Sequence, residues 1–112
     1  MDDLLADEER AISVITVSEL LHGVHRQHGS QRARRRARVE HILAGFRPIP
    51  VTSPIARVHA EVGAELARHG IRIGANDLWI AATALGHGLG VATRNVAEFE
   101  RVPGLRIVTP GA

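Results

Sequence analysis

The sequence predicts an α/β domain with a mostly parallel sheet flanked by helices. Two observations carry that expectation. Short apolar, β-branched segments alternate with helical periodicities along the chain, which is the pattern of strand–helix–strand units. The first clear strand, Ala11–Ile15 (AISVI), is apolar on both faces, as strands covered on both sides are. At 112 residues, with no repeat, linker or low-complexity stretch, the chain reads as one domain over 1–112.

The elements follow in order. Residues 3–9 have a helical pattern, but too few residues to make a stable helix alone. After AISVI, Thr16 opens a helix to about Arg26, with Val17, Leu20, Leu21 and Val24 as its apolar stripe. Gly29 and Ser30 interrupt it. A second helix runs from about Gln31 to Ala44, apolar at Val39, Ile42 and Leu43. The segment 46–51 (FRPIPV) suits a short edge strand, because Pro48 and Pro50 cannot donate ladder hydrogen bonds. Ser53-Pro54 starts a helix by cap and first-turn proline. Its face is Ile55, Val58, Val62 and Leu66, and Gly70 stops it. The helix from about Asn76 to Gly88 is apolar nearly all round, which predicts burial. Gly90–Thr93 reads as a strand, Asn95–Arg101 as a short helix and Leu105–Val108 as the last strand.

Composition excludes several classes. With 45% apolar and 23% charged residues the chain has the makings of a folded core, not of a disordered segment. Without cysteine there are no disulfides and no thiolate metal sites. The longest apolar runs, such as Leu78–Leu85, are too short to span a bilayer, so no membrane role is expected. Met1–Leu5 is acidic where a signal peptide would be basic, which makes a cytoplasmic location the expectation. The formal net charge of +2 does not by itself predict nucleic-acid binding. Its distribution is more informative. All 14 basic residues are arginine, and Arg32, Arg34, Arg35, Arg36 and Arg38 crowd into one helix. Such a cluster suits RNA phosphates or an acidic partner segment, with a solvated helix face as the plain alternative. His22, His25 and His28 lie off the apolar stripe without ligand spacing, and Trp79 suits a core or a dimer interface.

The acidic residues hold the functional interest. Glu19 follows the strand AISVI in T-x-x-E, which also reads as a capping box. Asp77 begins the apolar helix, where the helix dipole alone would favour it. Asn95 and Glu98 follow the strand Gly90–Thr93 as N-x-x-E, again a possible capping pair. In parallel sheets, however, functional groups gather at the carboxyl ends of strands and the nearby helix N-termini. A carboxylate buried without a partner at the head of an apolar helix costs several kcal/mol, a penalty that a divalent cation removes. Oxygen ligands without histidine or cysteine in motif spacing suit Mg²⁺ or Mn²⁺, ions that serve phosphoryl transfer.

Three blocks resemble one family. Ile15-Thr16-Val17-Ser18-Glu19-Leu20-Leu21-His22-Gly23 resembles the I-T-x-x-E-L-x-x-G block of VapC-like PIN domains. Asn76-Asp77-Leu78-Trp79-Ile80-Ala81-Ala82 resembles their N-D-x-x-I-A-A block, and Ala92–Phe99 with Val102-Pro103-Gly104-Leu105 resembles their T-R-N-x-x-D-F…P-G-L ending. The blocks stand in family order across residues 11–108. The resemblance implies a three-layer PIN-like fold and metal-dependent RNA cleavage, with Mg²⁺ or Mn²⁺ as cofactor. It also implies a VapB-type antitoxin as partner, and a homodimer is expected. By motif position Glu19, Asp77 and Glu98 would be the acidic metal-site residues, with Asn95 as a catalytic neighbour. Thr93 and Arg94 lie beside that site and could touch substrate, with the end of a strand as the plain alternative for Thr93. A catalytically silent module that binds antitoxin or dimerises is the rival expectation.

Two departures stand out. Glu98 occupies a position where the family usually has aspartate. The family also opens with a central strand ending in a metal-binding aspartate (D-T-S or D-x-S), and nothing here matches it. Asp2 and Asp3 fall in the helical-looking stretch and are not promoted to that role. The expectation is therefore a domain lacking its N-terminal central strand. A gap there would leave backbone groups unpaired, at about 1–3 kcal/mol each.

Overall fold

Ser13 is the hinge of the first half of the fold, since it ends a strand and caps a helix. In the computed structural model, residues 3–6 and 9–108 are described, with side chains from Ala11 onward. The elements are β1 (Asp3–Ala6), β2 (Glu9–Ser13), α1 (Val14–His25), α2 (Gly29–Leu43), β3 (Arg47–Ile49), α3 (Ser53–Arg68), α4 (Ala75–His87), β4 (Gly90–Ala92), α5 (Val96–Phe99) and β5 (Ile107–Val108).

The sheet order is β3-β2-β1-β4-β5. Strands β2 and β3 run parallel, as do β4 and β5, while β1 is antiparallel to both of its neighbours. The helical reading of residues 3–9 is therefore corrected: Asp3–Ala6 is a strand and Glu9 belongs to the next one. Four residues cannot sustain a helix, whereas two flanking strands satisfy their backbone donors and acceptors. The central position, expected to be vacant, is filled by β1 running against the rest. Asp2 lies outside the described residues. The other four strands share one direction, so their carboxyl ends meet at one edge of the sheet.

Residues that the periodicities assign to the interior pack there. Ile80, Ala81, Ala82, Thr83 and Ala84 of α4 are buried, and Ile80, Ala81 and Ala84 join Ile49, Leu66, Val91, Phe99 and Val102 in one cluster. Helices α3 and α4 approach closely because Gly86 has no side chain. A Cβ there would meet Ile55 Cδ1 at 2.4 Å. Gly88, at φ 66°, ends α4 in the left-handed conformation that glycine adopts without strain.

Across the same pair of helices the His59 ring stacks on Trp79, centroids 3.6 Å apart and planes 17° from parallel. Burial lowers the His59 pKa below its ordinary 6.5, because desolvation disfavours the imidazolium. The fold thus favours the neutral ring. That contribution is complete above pH 6.5 and is lost as pH falls through the folded-state pKa. Trp79 is the chain's single tryptophan. Its fluorescence is expected to titrate with a midpoint below 6.5, and His59→Gln is expected to flatten the titration. A midpoint at or above 6.5 would contradict the stacked, desolvated ring.

Candidate active site at the carboxyl edge of the sheet

Helix α1 begins two residues earlier than the sequence pattern indicates. The Ser13 hydroxyl accepts from the Ile15 amide at 3.1 Å, so Ser13 is the cap and Val14 the first helical residue. Thr16 accordingly lies inside the first turn, and the capping-box geometry fails. Glu19 sits in the second turn, exposed to solvent, with no cap to serve. Thr16 and Glu19, three residues apart, share a face of α1. Thr16 is 4% exposed and its Oγ1 has no hydrogen-bond partner among the described residues.

Asp77 occupies the first turn of α4, half-buried, behind the N-cap Gly74. Glu98, from α5, reaches the same place. Its Oε1 accepts the Gly74 amide at 2.6 Å across 24 residues of sequence. Its Oε2 lies 3.5 Å from Arg101 Nη1, and that guanidinium nitrogen also donates to the Arg72 carbonyl at 2.6 Å. Asn95 makes no side-chain cap to α5, so the N-x-x-E capping pair is absent. Glu98 ties two distant segments together instead. Gly74 lies between the two carboxylates: a Cβ on it would stand 3.4 Å from Asp77 Oδ2 and 3.5 Å from Glu98 Oε1, in ordinary contact with both.

The remaining predicted residues divide. Thr93 is fully buried, and its hydroxyl accepts from the Asn95 amide at 2.9 Å, shaping the turn after β4. A side chain so placed orders the loop. Arg94 and Asn95 are exposed on that loop.

Asp77 and Glu98 thus come together beside Gly74. Among the described residues, however, no three histidine, cysteine or acidic side chains form a group able to hold a metal, so Glu19 does not complete a triad with them. The backbone of a residue that the sequence pattern set aside also reaches this edge. Asp3 pairs with Ala92, at the carboxyl end of β4, and so begins β1 at this very edge. Only the reversed direction of β1 brings it there. Gly74 was likewise missed, since nothing local marks a glycine as the meeting point of two carboxylates.

Asp77 and Glu98 supply hard oxygen donors, and the amino end of α4 supports negative charge. Such donors fit Mg²⁺ or Mn²⁺. Asp77 fits as a ligand. Glu98, held by an amide and near a guanidinium, fits better as the group that fixes Gly74 and the start of α4.

Residues 1–105 match the PIN domain family. Ribonuclease VapC4 of Mycobacterium tuberculosis is 30% identical over 107 residues, covering 96% of this chain and 82% of that protein. The tRNA(fMet)-specific endonuclease VapC of Salmonella typhimurium is 38% identical over 96 residues, covering 86% and 71%. The crystal structure of DNA-bound VapBC from Salmonella typhimurium superimposes with a TM-score of 0.84 at 36% identity, covering 88% of this chain and 74% of that one.

Proposed function

Because the chain belongs to the VapC group of the PIN-domain family, we propose that it is a metal-dependent endoribonuclease, the toxin of a VapBC-type system. It hydrolyses RNA phosphodiesters with Mg²⁺ or Mn²⁺, and a VapB-type antitoxin restrains it. The observation that carries this reading is the convergence of Asp77 and Glu98 on Gly74 at the carboxyl edge of the sheet. A bound divalent ion supplies a hydroxide at neutral pH and neutralises charge on the scissile phosphate.

The chain's own residues do the rest. Asp77 holds the ion, with the helix α4 backbone fixing its position. Glu19, exposed on α1, helps to place the ion or its water. Glu98 keeps Gly74 and therefore Asp77 in place, and Arg101 holds Glu98 in turn. Asn95 and Arg94 offer polar contacts at the rim. Relatives named as ribonucleases and endonucleases and neighbours solved as VapBC complexes support the reading, which carries with it the expectation of a homodimer. No described helix is long and apolar enough to cross a membrane, in keeping with a cytoplasmic site of action.

The second reading is a catalytically silent module that binds antitoxin. It is favoured by Asp77 and Glu98 standing as a pair, with Glu19 outside it, among the described residues. Incubating the purified protein with RNA in Mg²⁺, in Mn²⁺ and in excess chelator separates the two. Cleavage is expected with either ion and none with chelator. Cleavage in chelator would overturn the mechanism, and intact RNA in both ions would establish the silent module.

A further inference from the structure

Helix α3 leads into α4 through an irregular segment, residues 71–74. The backbone groups of such a segment must find partners outside any helix or strand. Its start is tied to α3, where the Ile71 amide donates to the Leu66 carbonyl at 2.9 Å. Its end opens α4, where the Gly74 carbonyl accepts from the Leu78 amide at 2.9 Å. Between those ties, two side chains reach in from α5 and the turn after it. Arg101 Nη1 donates to the Arg72 carbonyl and Glu98 Oε1 accepts from the Gly74 amide, each at 2.6 Å. The same Arg101 nitrogen lies 3.5 Å from Glu98 Oε2. Both side chains stand on a fixed base, because Phe99 and Val102 beside them are buried.

Stability explains this arrangement poorly. The Glu98 and Arg101 side chains are 20% and 46% exposed, and ion pairs open to water contribute little to folding. What the pair fixes is the backbone between two helices. With the Arg72 carbonyl and the Gly74 amide both gripped, the strap 72–74 is locked in orientation. Asp77 follows three residues later, in the first turn of α4. Both oxygens of Glu98 are engaged, one by the amide and the other by the guanidinium. Glu98 therefore serves the backbone, and the ion falls to Asp77.

We propose that Arg101 is a positioning residue for Asp77, gripping the Arg72 carbonyl and Glu98 together and so holding the strap that sets the first turn of α4. Position 98 then requires reach more than charge. An aspartate there is shorter by one carbon–carbon bond, about 1.5 Å, which opens the 2.6 Å bond to the Gly74 amide beyond hydrogen-bonding range. A glutamine carbonyl can still accept it. The proposal rests on the metal-dependent reading of Asp77.

The test follows Mn²⁺ binding by electron paramagnetic resonance, and exchange of the Gly74 amide by NMR in the metal-free protein. Arg101→Gln is expected to weaken Mn²⁺ binding by about 10-fold, as loss of a group supporting a metal ligand does. It should also speed Gly74 exchange while core amides such as that of Val91, and the melting temperature, hold. Arg101→Lys should recover part of both effects, because Nη1 alone makes the two contacts and an ammonium can stand in for it. Glu98→Asp is expected to weaken Mn²⁺ binding more than Glu98→Gln does. The opposite order makes Glu98 an ion ligand and overturns its positioning role. If Arg101→Gln leaves Mn²⁺ affinity and Gly74 exchange unchanged in a chain that binds Mn²⁺ natively, the clamp is overturned and the metal reading stands. Faster exchange throughout the core also overturns it, since that marks a merely structural loss. A native chain that binds no Mn²⁺ removes the metal reading, and the clamp's role falls with it.

Discussion

Asp77→Asn is expected to lower RNA cleavage by about 100-fold or more, the scale on which loss of one preorganised charge-stabilising group is felt. The substitution keeps the shape of the side chain and removes the charge on which ion binding depends. Its cost to folding is much smaller. A carboxylate in the first turn of a helix contributes about 0.3–1 kcal/mol through the dipole, against a total of about 5–15 kcal/mol for a domain. The variant should therefore remain folded, with a melting temperature within several degrees of the parent. Initial cleavage rates and a thermal melt on the same preparation check both halves. Near-parental cleavage by a folded Asp77→Asn protein would remove Asp77 from the chemistry.

Phe99→Ala is expected to have the largest effect on stability. Phe99 is fully buried in the main cluster, and truncation of a buried phenylalanine costs about 3–5 kcal/mol. That is a large share of a small domain's stability, and the melting temperature should fall by more than about 10 °C. The loss also reaches the site. Helix α5 has four residues, with Phe99 its one buried side chain. Without that anchor Glu98 no longer holds the Gly74 amide, so cleavage should drop even at temperatures where the variant is folded. Phe99→Leu fills most of the space and should fall between the two. Melting and cleavage compared across the three proteins would reveal a role for α5 confined to stability if activity per folded molecule stayed constant.

The contrast between α4 and β1 explains how much of the fold was legible in the sequence. Helix α4 declares itself by an apolar run of helical length ending at Gly88, and Pro54 and Gly70 bound α3 by rules that act within a few residues, although its N-cap is Thr52 instead of Ser53 and makes no side-chain cap. Strand β1 has no such local signature. Its four residues become a strand only because β2 and β4 stand on either side. The start of α1 was displaced for a related reason, since Ser13 ends the strand and caps the helix at once. In the site, Asp77 and Glu98 were legible from their motifs. The bond from Glu98 to Gly74 was not, because both N-x-x-E and T-x-x-E describe local caps that the tertiary fold replaces. Thr93 was legible as a residue beside the site or as a strand end, and its burial and its bond to the Asn95 amide depend on neighbours that the motif does not contain.

The reversed direction of β1 also bears on the order in which the molecule assembles. Ala6 pairs with Glu9, and Asp3 with Ala92. One side of the central strand is thus closed by near neighbours, and the other by residues from the far end of the chain. Hairpins form in about 1–10 μs, whereas contacts between distant segments wait on costly loop closure. The β1–β2 pair is therefore available as an early template, and the arrival of β4 is the late event. Since β4 leads into the turn that presents Asn95 and Glu98, the candidate site is assembled in the same late step that closes the sheet.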